Sequence, residues 1–138
     1  MTKKQLVALV AIVVAVLVVR NYLPQTPAQN DAREVYDVSA AELFDDYEKN
    51  AIAADARVKG TILMISGKVK DIGKDISGVP YLVLGSNMDT SRGVQAMLDD
   101  SSGAAQLSKG DTARVRCTRS DGHVVLNVIV RGCSLSFR

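Results

Sequence analysis

The chain has 138 residues, of which 47% are hydrophobic and 23% are charged, a composition typical of one folded domain rather than of a disordered or collagenous chain. Its formal net charge of +2 divides unevenly, because residues 1–20 hold three basic groups and no acid and the remainder has a net charge of −1. Such a domain is not steered globally toward nucleic acid or lipid. With one His and two Cys, a conventional zinc site is not expected, and we expect no cofactor.

An uninterrupted apolar segment begins at Leu6 and ends at Val19. As a helix it covers about 21 Å, and Tyr22 and Leu23 extend it to about 27 Å if Arg20 reaches outward past the apolar face. The hydrocarbon core of a bilayer is about 30 Å thick. The segment is therefore predicted to contact the membrane as a single transmembrane helix.

The charges around this segment predict its orientation. Lys3 and Lys4 precede it and Arg20 closely follows it, so the positive-inside rule places the amino terminus in the cytoplasm. The protein is then expected in the inner (cytoplasmic) membrane, with its domain on the periplasmic side. Two alternatives stay open: a signal peptide cleaved after the small-x-small motif at residues 26–28, and a core helix of a soluble protein, against which the lack of a polar face argues.

Composition divides the chain into three parts. Residues 1–23 are the predicted anchor or signal peptide. Residues 24–34 contain two prolines and small polar residues and are expected to form an extended linker. Residues 35–138 are predicted to form the folded domain.

A helix is predicted over residues 40–56. Ser39 and Glu42 have the spacing of a capping box, and Leu43 and Tyr47 follow on one helical face. Its charged residues are interpreted as a solvated surface rather than a catalytic or metal-binding cluster. They are Asp45, Asp46, Glu48, Lys49 and Asp55.

From Gly60 onward the pattern changes to the two-residue period of β-strands. Five strands are predicted, at residues 61–69, 80–84, 94–98, 112–118 and 124–130. A short helical segment is expected at residues 100–107, and Asp121-Gly122 is a hairpin signal. The predicted fold is all-β, a small five-stranded Greek-key barrel preceded by an α-helix, with one amino-terminal transmembrane helix.

Three stretches resemble a known family. The first comprises residues 47–50 (YEKN), 53–55 (AAD) and 59–60 (KG); the second, residues 65–69 (ISGKV), 71–72 (DI) and 78–84 (GVPYLVL); the third, residues 107–110 (LSKG), 114–117 (RVRC) and 128–135 (VIVRGCSL). Together they resemble the bacterial tRNA_anti-like family of OB-fold proteins, whose members are often membrane-anchored or lipoprotein-like. The resemblance covers residues 39–135. It implies an OB-type barrel related to anticodon-binding barrels and brings no catalytic motif.

No catalytic grouping is expected. The single histidine, His123, falls in the predicted Asp-Gly turn, where a solvated role is favoured over that of a general base. The carboxylates Asp99 and Asp100 follow a strand and are interpreted as a cap for the next turn. Nucleophile, metal-hydrolase and phosphate-loop motifs are missing from the sequence, so we expect no enzyme.

Basic residues of the first and fourth predicted strands could form one patch, because these strands pair in such a barrel. Together with neighbouring residues they define a candidate ligand-binding face: Lys68, Lys70, Tyr81, Arg114, Arg116 and Arg131. Single-strand binders add several stacking aromatics, whereas here the second and third strands offer only Tyr81.

The function predicted from the sequence is therefore that of a non-enzymatic, membrane-tethered binding module outside the cytoplasm. Its expected partner is a protein or a small polar ligand. Binding of single-stranded nucleic acid or tRNA through the basic face is the alternative.

The two cysteines, Cys117 and Cys133, have two interpretations. An oxidising compartment favours a disulfide, the family resemblance places a cysteine near each position, and closing this loop would stabilise the fold by about 3 kcal/mol. A tight turn at Asp121-Gly122 argues against it, because it would put Cys117 opposite Leu126, about 23 Å along the strand from Cys133. The alternative is two small buried thiols.

Overall fold

A computed structural model of the protein describes residues 2–22, 33–85, 92–124 and 126–136. Most of the predicted linker, including the motif at residues 26–28, lies outside these residues. The described parts contain three α-helices, seven strands and one turn of 3-10 helix (Ala104–Gln106). The first helix and the strand-rich part belong to separate compact units, the second of which begins at Arg33.

The first helix, α1 (Lys3–Tyr22), is apolar on all sides. Its 20 residues rise about 30 Å, which is the thickness of a hydrocarbon core. None of its residues is buried. Within the described residues it is the one helix that is long and apolar enough to cross a membrane, a test that a signal sequence also passes.

The helical segment after the first strand consists of two helices, α2 (Ala40–Lys49) and α3 (Ala51–Val58). Ser39 accepts a hydrogen bond from the Glu42 backbone and Glu42 reaches back to Ser39, which completes the capping box. The prediction of one helix over residues 40–56 is wrong because Asn50 leaves the helical conformation. Its side chain caps α3 by accepting from the Ala53 N–H, at 3.0 Å.

The strands of the described residues form one sheet that closes on itself. They are β1 (Val35–Ser39), β2 (Ile62–Lys74), β3 (Pro80–Gly85), β4 (Gly93–Leu98), β5 (Thr112–Cys117), β6 (Arg119–Val124) and β7 (Asn127–Leu135). The order β2-β3-β4-β7-β5 is closed by antiparallel pairing of β5 with β2, and β4 and β7 run parallel. These five strands form the Greek-key barrel of the OB fold.

Two strands beyond the predicted five are added to this barrel. β1 pairs in parallel with β2, and β6 pairs with β7. The prediction of five strands is wrong because each added strand is short and shows no clear alternation of apolar residues: Val38 is the buried residue of β1 and Gly122 that of β6. A strand with a single paired neighbour needs less apolar surface than a barrel strand does.

The core fills the barrel and extends to α2 and α3. The inward side chains of the barrel strands include Leu63, Ile65, Leu82, Val115 and Val130, none of them more than 1% exposed. The helices contribute their own buried residues, which are Ala40, Leu43, Tyr47, Ala54 and Val58. Gly67 permits the close approach of α2, since a Cβ there would lie 3.0 Å from the Ala40 Cβ.

A disulfide joins Cys117 and Cys133, whose Cα atoms are 4.0 Å apart. The hairpin predicted at Asp121-Gly122 is wrong, because both residues lie inside β6, whose pairing with β7 runs from Arg119 opposite Arg131 to Val124 opposite Asn127. Arg119 pairs with Arg131 across the antiparallel strands β6 and β7, so Cys117, two residues before Arg119, meets Cys133, two residues after Arg131. The expected 23 Å separation came from the incorrect turn.

Gly132 allows β7 to bend just before Cys133. Along β4, Ala96 and Leu98 are two residues apart, whereas their partners Val130 and Cys133 are three apart, so β7 contains an extra residue. Gly132 has a φ of +63°, which favours glycine, and a Cβ there would lie 2.1 Å from the Thr118 Oγ1.

We predict that Gly132→Ala destabilises the fold more than Gly78→Ala does. Both glycines have positive φ, so each substitution costs about 1–2 kcal/mol of backbone strain, but nothing lies within 4 Å of a Cβ at Gly78. Only the Gly132 variant adds a clash with Thr118. Urea unfolding of the full chain in detergent micelles measures the difference, and equal losses of stability would contradict the bend described above.

Candidate functional site

Alternation along β3, β4 and β7 places one set of side chains on the outside of the barrel. Leu82, Leu84, Val94, Ala96, Val128 and Val130 point into the core, so the residues between them point outward. We call this outward surface the β3–β4 face. It consists of Tyr81, Val83, Gln95, Met97 and Ile129, which are neighbours by strand register.

The β3–β4 face has an apolar floor and a partly exposed rim. Val83 and Met97 are each 6% exposed, although neither belongs to the cluster inside the barrel. Tyr81, Gln95 and Ile129 are half-buried. Strands β3 and β4 contain no Lys, Arg, Asp or Glu, so the centre of this face is uncharged.

Tyr81 lies across its cross-strand partner Gly73. A Cβ at Gly73 would be 2.8 Å from the Tyr81 hydroxyl oxygen, so the tyrosine occupies the space that a side chain would take. The hydroxyl donates to Asp71 Oδ2 at 3.4 Å, and Lys109 Nζ lies 3.6 Å from Asp71 Oδ1. Burial raises the pKa of Tyr81, and the Asp71 carboxylate raises it further.

An apolar floor with uncharged polar groups at the rim suits a neutral ligand. Amide and phenol groups form hydrogen bonds with sugars or peptide groups, and the half-buried Ile129 side chain offers apolar surface that a ligand could cover. A nucleic-acid strand requires cations along its phosphates and usually several stacking aromatics. The β3–β4 face has one aromatic and no cation among its five residues.

Lys68 and Lys70 lie outside the barrel on β2, near the edge of this face. Lys68 pairs with Gly85, and the Lys70 side chain passes over that glycine, where a Cβ would be 2.5 Å from the Lys70 Cε. Lys70 Nζ donates to the Arg92 carbonyl at 3.3 Å. The two lysines therefore share an outer surface of β2.

Arg114 and Arg116 project outward from β5, opposite Ser66 and Met64 of β2. Arg114 is ion-paired with Asp37 of β1, reaching across β2. Both partners are partly exposed, so the pair adds little stability, but it neutralises one of the positive charges on this surface.

Arg131 is separate from the other predicted basic residues. It lies on β7, where its Nε donates to Asp121 of β6, and Arg119 Nε is 3.5 Å from the same carboxylate. The six predicted ligand-binding residues thus occupy three regions of the sheet. They are β2 with β5 (Lys68, Lys70, Arg114, Arg116), β3 (Tyr81) and β7 (Arg131).

The interaction of α2 with β6 was not expected from the sequence. His123 Nε2 lies 3.0 Å from Glu48 Oε1, and its ring meets the Phe44 ring edge-to-face at 5.7 Å. In the described ranges no three His, Cys, Asp or Glu residues form a group that could hold a metal. His123 contacts a helix 75 residues earlier in the chain, which no sequence motif signals.

Tyr47 links the two helices to β6. Its hydroxyl donates to Asp55 Oδ1 at 2.7 Å and lies 2.8 Å from the Ser120 Oγ, which also accepts from the Gly122 N–H at 3.1 Å. Burial raises the pKa of Tyr47 to about 12; Ser120 opposes the shift and Asp55 adds to it. Tyr47 is therefore neutral at physiological pH, and its hydroxyl joins α3 to β6 through hydrogen bonds.

The chain matches a known family, and its fold is similar to that of a solved structure. The model of the tRNA_anti-like family matches residues 1–134. The crystal structure of a presumed nucleic acid-binding lipoprotein from Klebsiella pneumoniae subsp. pneumoniae is similar, with a TM-score of 0.54 and 17% sequence identity over 83% of this chain and 100% of the other. At that identity the likeness shows a common fold. No curated protein matches the chain.

We predict that Asp71→Asn lowers the pKa of Tyr81. The substitution removes the negative charge that disfavours tyrosinate, while burial, the larger cause, stays and keeps the pKa above its usual value. The ring carbon shift of Tyr81, followed by NMR as a function of pH, measures the change. Asp45→Asn on α2 is the control, and a Tyr81 pKa unaffected by Asp71→Asn would contradict the described contact.

Proposed function

The chain belongs to the tRNA_anti-like family, and from that premise we propose that it is a non-enzymatic binding module, tethered to the inner membrane by α1 and facing the periplasm. Its ligand-binding surface is the β3–β4 face. The ligand is a protein segment or a small polar molecule without high charge.

The observation that carries this proposal is the uncharged β3–β4 face. OB barrels bind oligonucleotides and oligosaccharides through the corresponding strands. Here the floor is Val83 and Met97 and the polar groups are Tyr81 and Gln95, which favours neutral hydrogen-bonding ligands. The non-catalytic role rests on the sequence, in which nucleophile, metal-hydrolase and phosphate-loop motifs are missing.

The tether and its orientation are supported by two independent features. α1 has the length of a membrane span, and Lys3 and Lys4 precede it, which favours a cytoplasmic amino terminus. The disulfide between Cys117 and Cys133 favours an oxidising compartment, since cytosolic reductants keep thiols reduced. Both features agree with a periplasmic barrel.

A second candidate function is binding of single-stranded nucleic acid. The surface of β2 and β5 favours it, because Lys68, Arg114 and Arg116 project from neighbouring strands. The Klebsiella protein of similar fold is named as a presumed nucleic acid-binding lipoprotein. The Asp37 carboxylate beside Arg114 weakens this surface as a phosphate site.

A reporter fusion tests the proposed topology. Alkaline phosphatase, which is active only outside the cytoplasm, is fused after Arg138, and we expect it to be active. A parallel fusion to a reporter that is active only in the cytoplasm is expected to be inactive. The reverse pair of results would contradict the periplasmic placement.

Oligonucleotide binding separates the two candidate functions. The full chain in detergent micelles is titrated into a labelled 20-nucleotide single strand at low and at raised salt, and we expect no binding in the micromolar range. Micromolar binding that weakens steeply with salt would contradict the proposal and favour the alternative. In that event the double variant Lys68→Ala, Arg114→Ala should reduce the salt slope, whereas Lys49→Ala on α2 should not.

A further inference from the structure

The turn between β6 and β7 exposes apolar side chains at one end of the barrel. Val124 and Leu126 are 47% and 49% exposed, and the residue between them in the sequence is Val125. Because Val124 pairs with Asn127, two residues connect the strands. Two-residue connections usually contain Asn, Asp or Gly, and β-branched residues are disfavoured in them. Turn geometry therefore does not account for these apolar residues, which favours a contact outside the barrel.

Strand register joins this turn to the outer surface of β2. Lys68 of β2 lies opposite Gly85 of β3, and Gly93 of β4 lies opposite Asn127 of β7. The two glycines are neighbours, since the residues next to them in β3 and β4 are partners. Asn127 also pairs with Val124, so one row of outward-facing positions runs from Lys68 to Val124. It crosses five strands, about 19 Å along the sheet.

Basic side chains accompany this row. The Lys70 side chain crosses Gly85, where a Cβ would lie 2.5 Å from the Lys70 Cε, and its Nζ donates to the Arg92 carbonyl at 3.3 Å. Arg92, which immediately precedes β4, is exposed, as is Lys68. The row itself contains no acidic residue, and residues 86–91 contribute one carboxylate in sequence. Three cations therefore lie at the end of the barrel that carries the apolar turn.

We propose that this end of the barrel docks on the surface of the lipid bilayer. The side chains of Val124 and Leu126 enter the head-group region, and the charged groups of Lys70 and Arg92 face the lipid phosphates. Apolar side chains beside cations are the combination that binds such an interface, most strongly where the lipids are anionic.

Docking of this kind rests on the proposed tether through α1. Residues 23–32 connect α1 to the strand-rich part, and ten residues reach at most about 36 Å. The tether makes the encounter with the bilayer intramolecular, so weak contacts are sufficient. The row from Lys68 to Val124 is the next outward row beyond Val83, Gln95 and Ile129. Docking would therefore hold the β3–β4 face at the membrane surface.

The turn between β2 and β3 offers a comparison at the other end of β3. Ile76 in this turn is fully exposed, but its sequence neighbours are Asp75 and Ser77. Asp75 Oδ1 accepts from the Ser77 and Val79 N–H groups at 2.8 and 2.9 Å, which is the ordinary role of Asp in a turn. A single exposed apolar side chain is common on protein surfaces. We therefore do not place Ile76 at the bilayer.

Tryptophan fluorescence tests the proposal, because the chain contains no Trp. Leu126→Trp introduces one indole at the proposed contact, and Ile76→Trp is the matched control; both residues are exposed, so neither substitution disturbs the core. Each full-length variant is reconstituted into vesicles of phosphatidylcholine and phosphatidylglycerol, with or without lipids brominated close to the head groups. We expect bromine to quench the emission of the Leu126→Trp variant and to leave that of the Ile76→Trp variant largely unchanged.

Arg92→Ala, added to Leu126→Trp, tests the cations. It should lower the ratio of docked to free barrel about fivefold in these vesicles, as for the loss of one basic group near an anionic surface. Lys74→Ala is the control, because Lys74 pairs with Pro80 at the far end of β3, and it should have no effect. Equal losses from the two substitutions would overturn the role of Arg92.

Two outcomes separate the docking from the tether. A chain that is retained in the vesicles, with quenching of the Leu126→Trp variant no greater than that of the Ile76→Trp variant, would overturn the docking alone. A chain that is not retained would overturn the tether and the docking together. Neither result would affect the β3–β4 face as a ligand-binding surface.

Discussion

The register of β7 with its neighbouring strands is the constraint on which the barrel depends. Because Arg119 stands opposite Arg131, Cys117 and Cys133 come together, and their disulfide joins β5 to β7. β7 pairs with β4 and β6 along its first part and with β5 near Leu135. The bend at Gly132 makes both sets of contacts compatible, and the cross-link holds the bend in place.

The same strand register determines how charge is distributed over the surface. The outward-facing residues of β5 include two arginines, Arg114 and Arg116. Those of β3 and β4 are tyrosine, glutamine and apolar residues. The barrel therefore has a basic side, moderated by Asp37, and an uncharged side. This separation of charge favours a neutral ligand at β3 and β4. Any binding of phosphates would have to use the surface of β2 and β5.

The sequence predicted those parts of the fold that have strong local signals. The capping box was found from the spacing of Ser39 and Glu42, and the strand at residues 112–118 was found from its alternation of apolar and polar residues. β6 was missed because Asp121 and Gly122 favour a turn locally, whereas in the fold Asp121 is the extra residue of a bulge and bonds to Arg131, and Gly122 pairs with Ile129. The contact of α3 with β6, in which the Tyr47 hydroxyl joins Asp55 to Ser120, could not be predicted, since α3 and β6 meet only in the folded chain.

The central claim is that the Cys117–Cys133 disulfide forms because the barrel folds in an oxidising compartment. The most direct test is to express the full chain in a bacterial host, quench the cells in acid and alkylate with a maleimide-linked polymer, with and without prior reduction. We predict no gel shift before reduction and two adducts after it, with Cys117→Ser giving one adduct in both conditions. Two adducts on the unreduced wild-type chain would show free thiols in the cell and contradict the account.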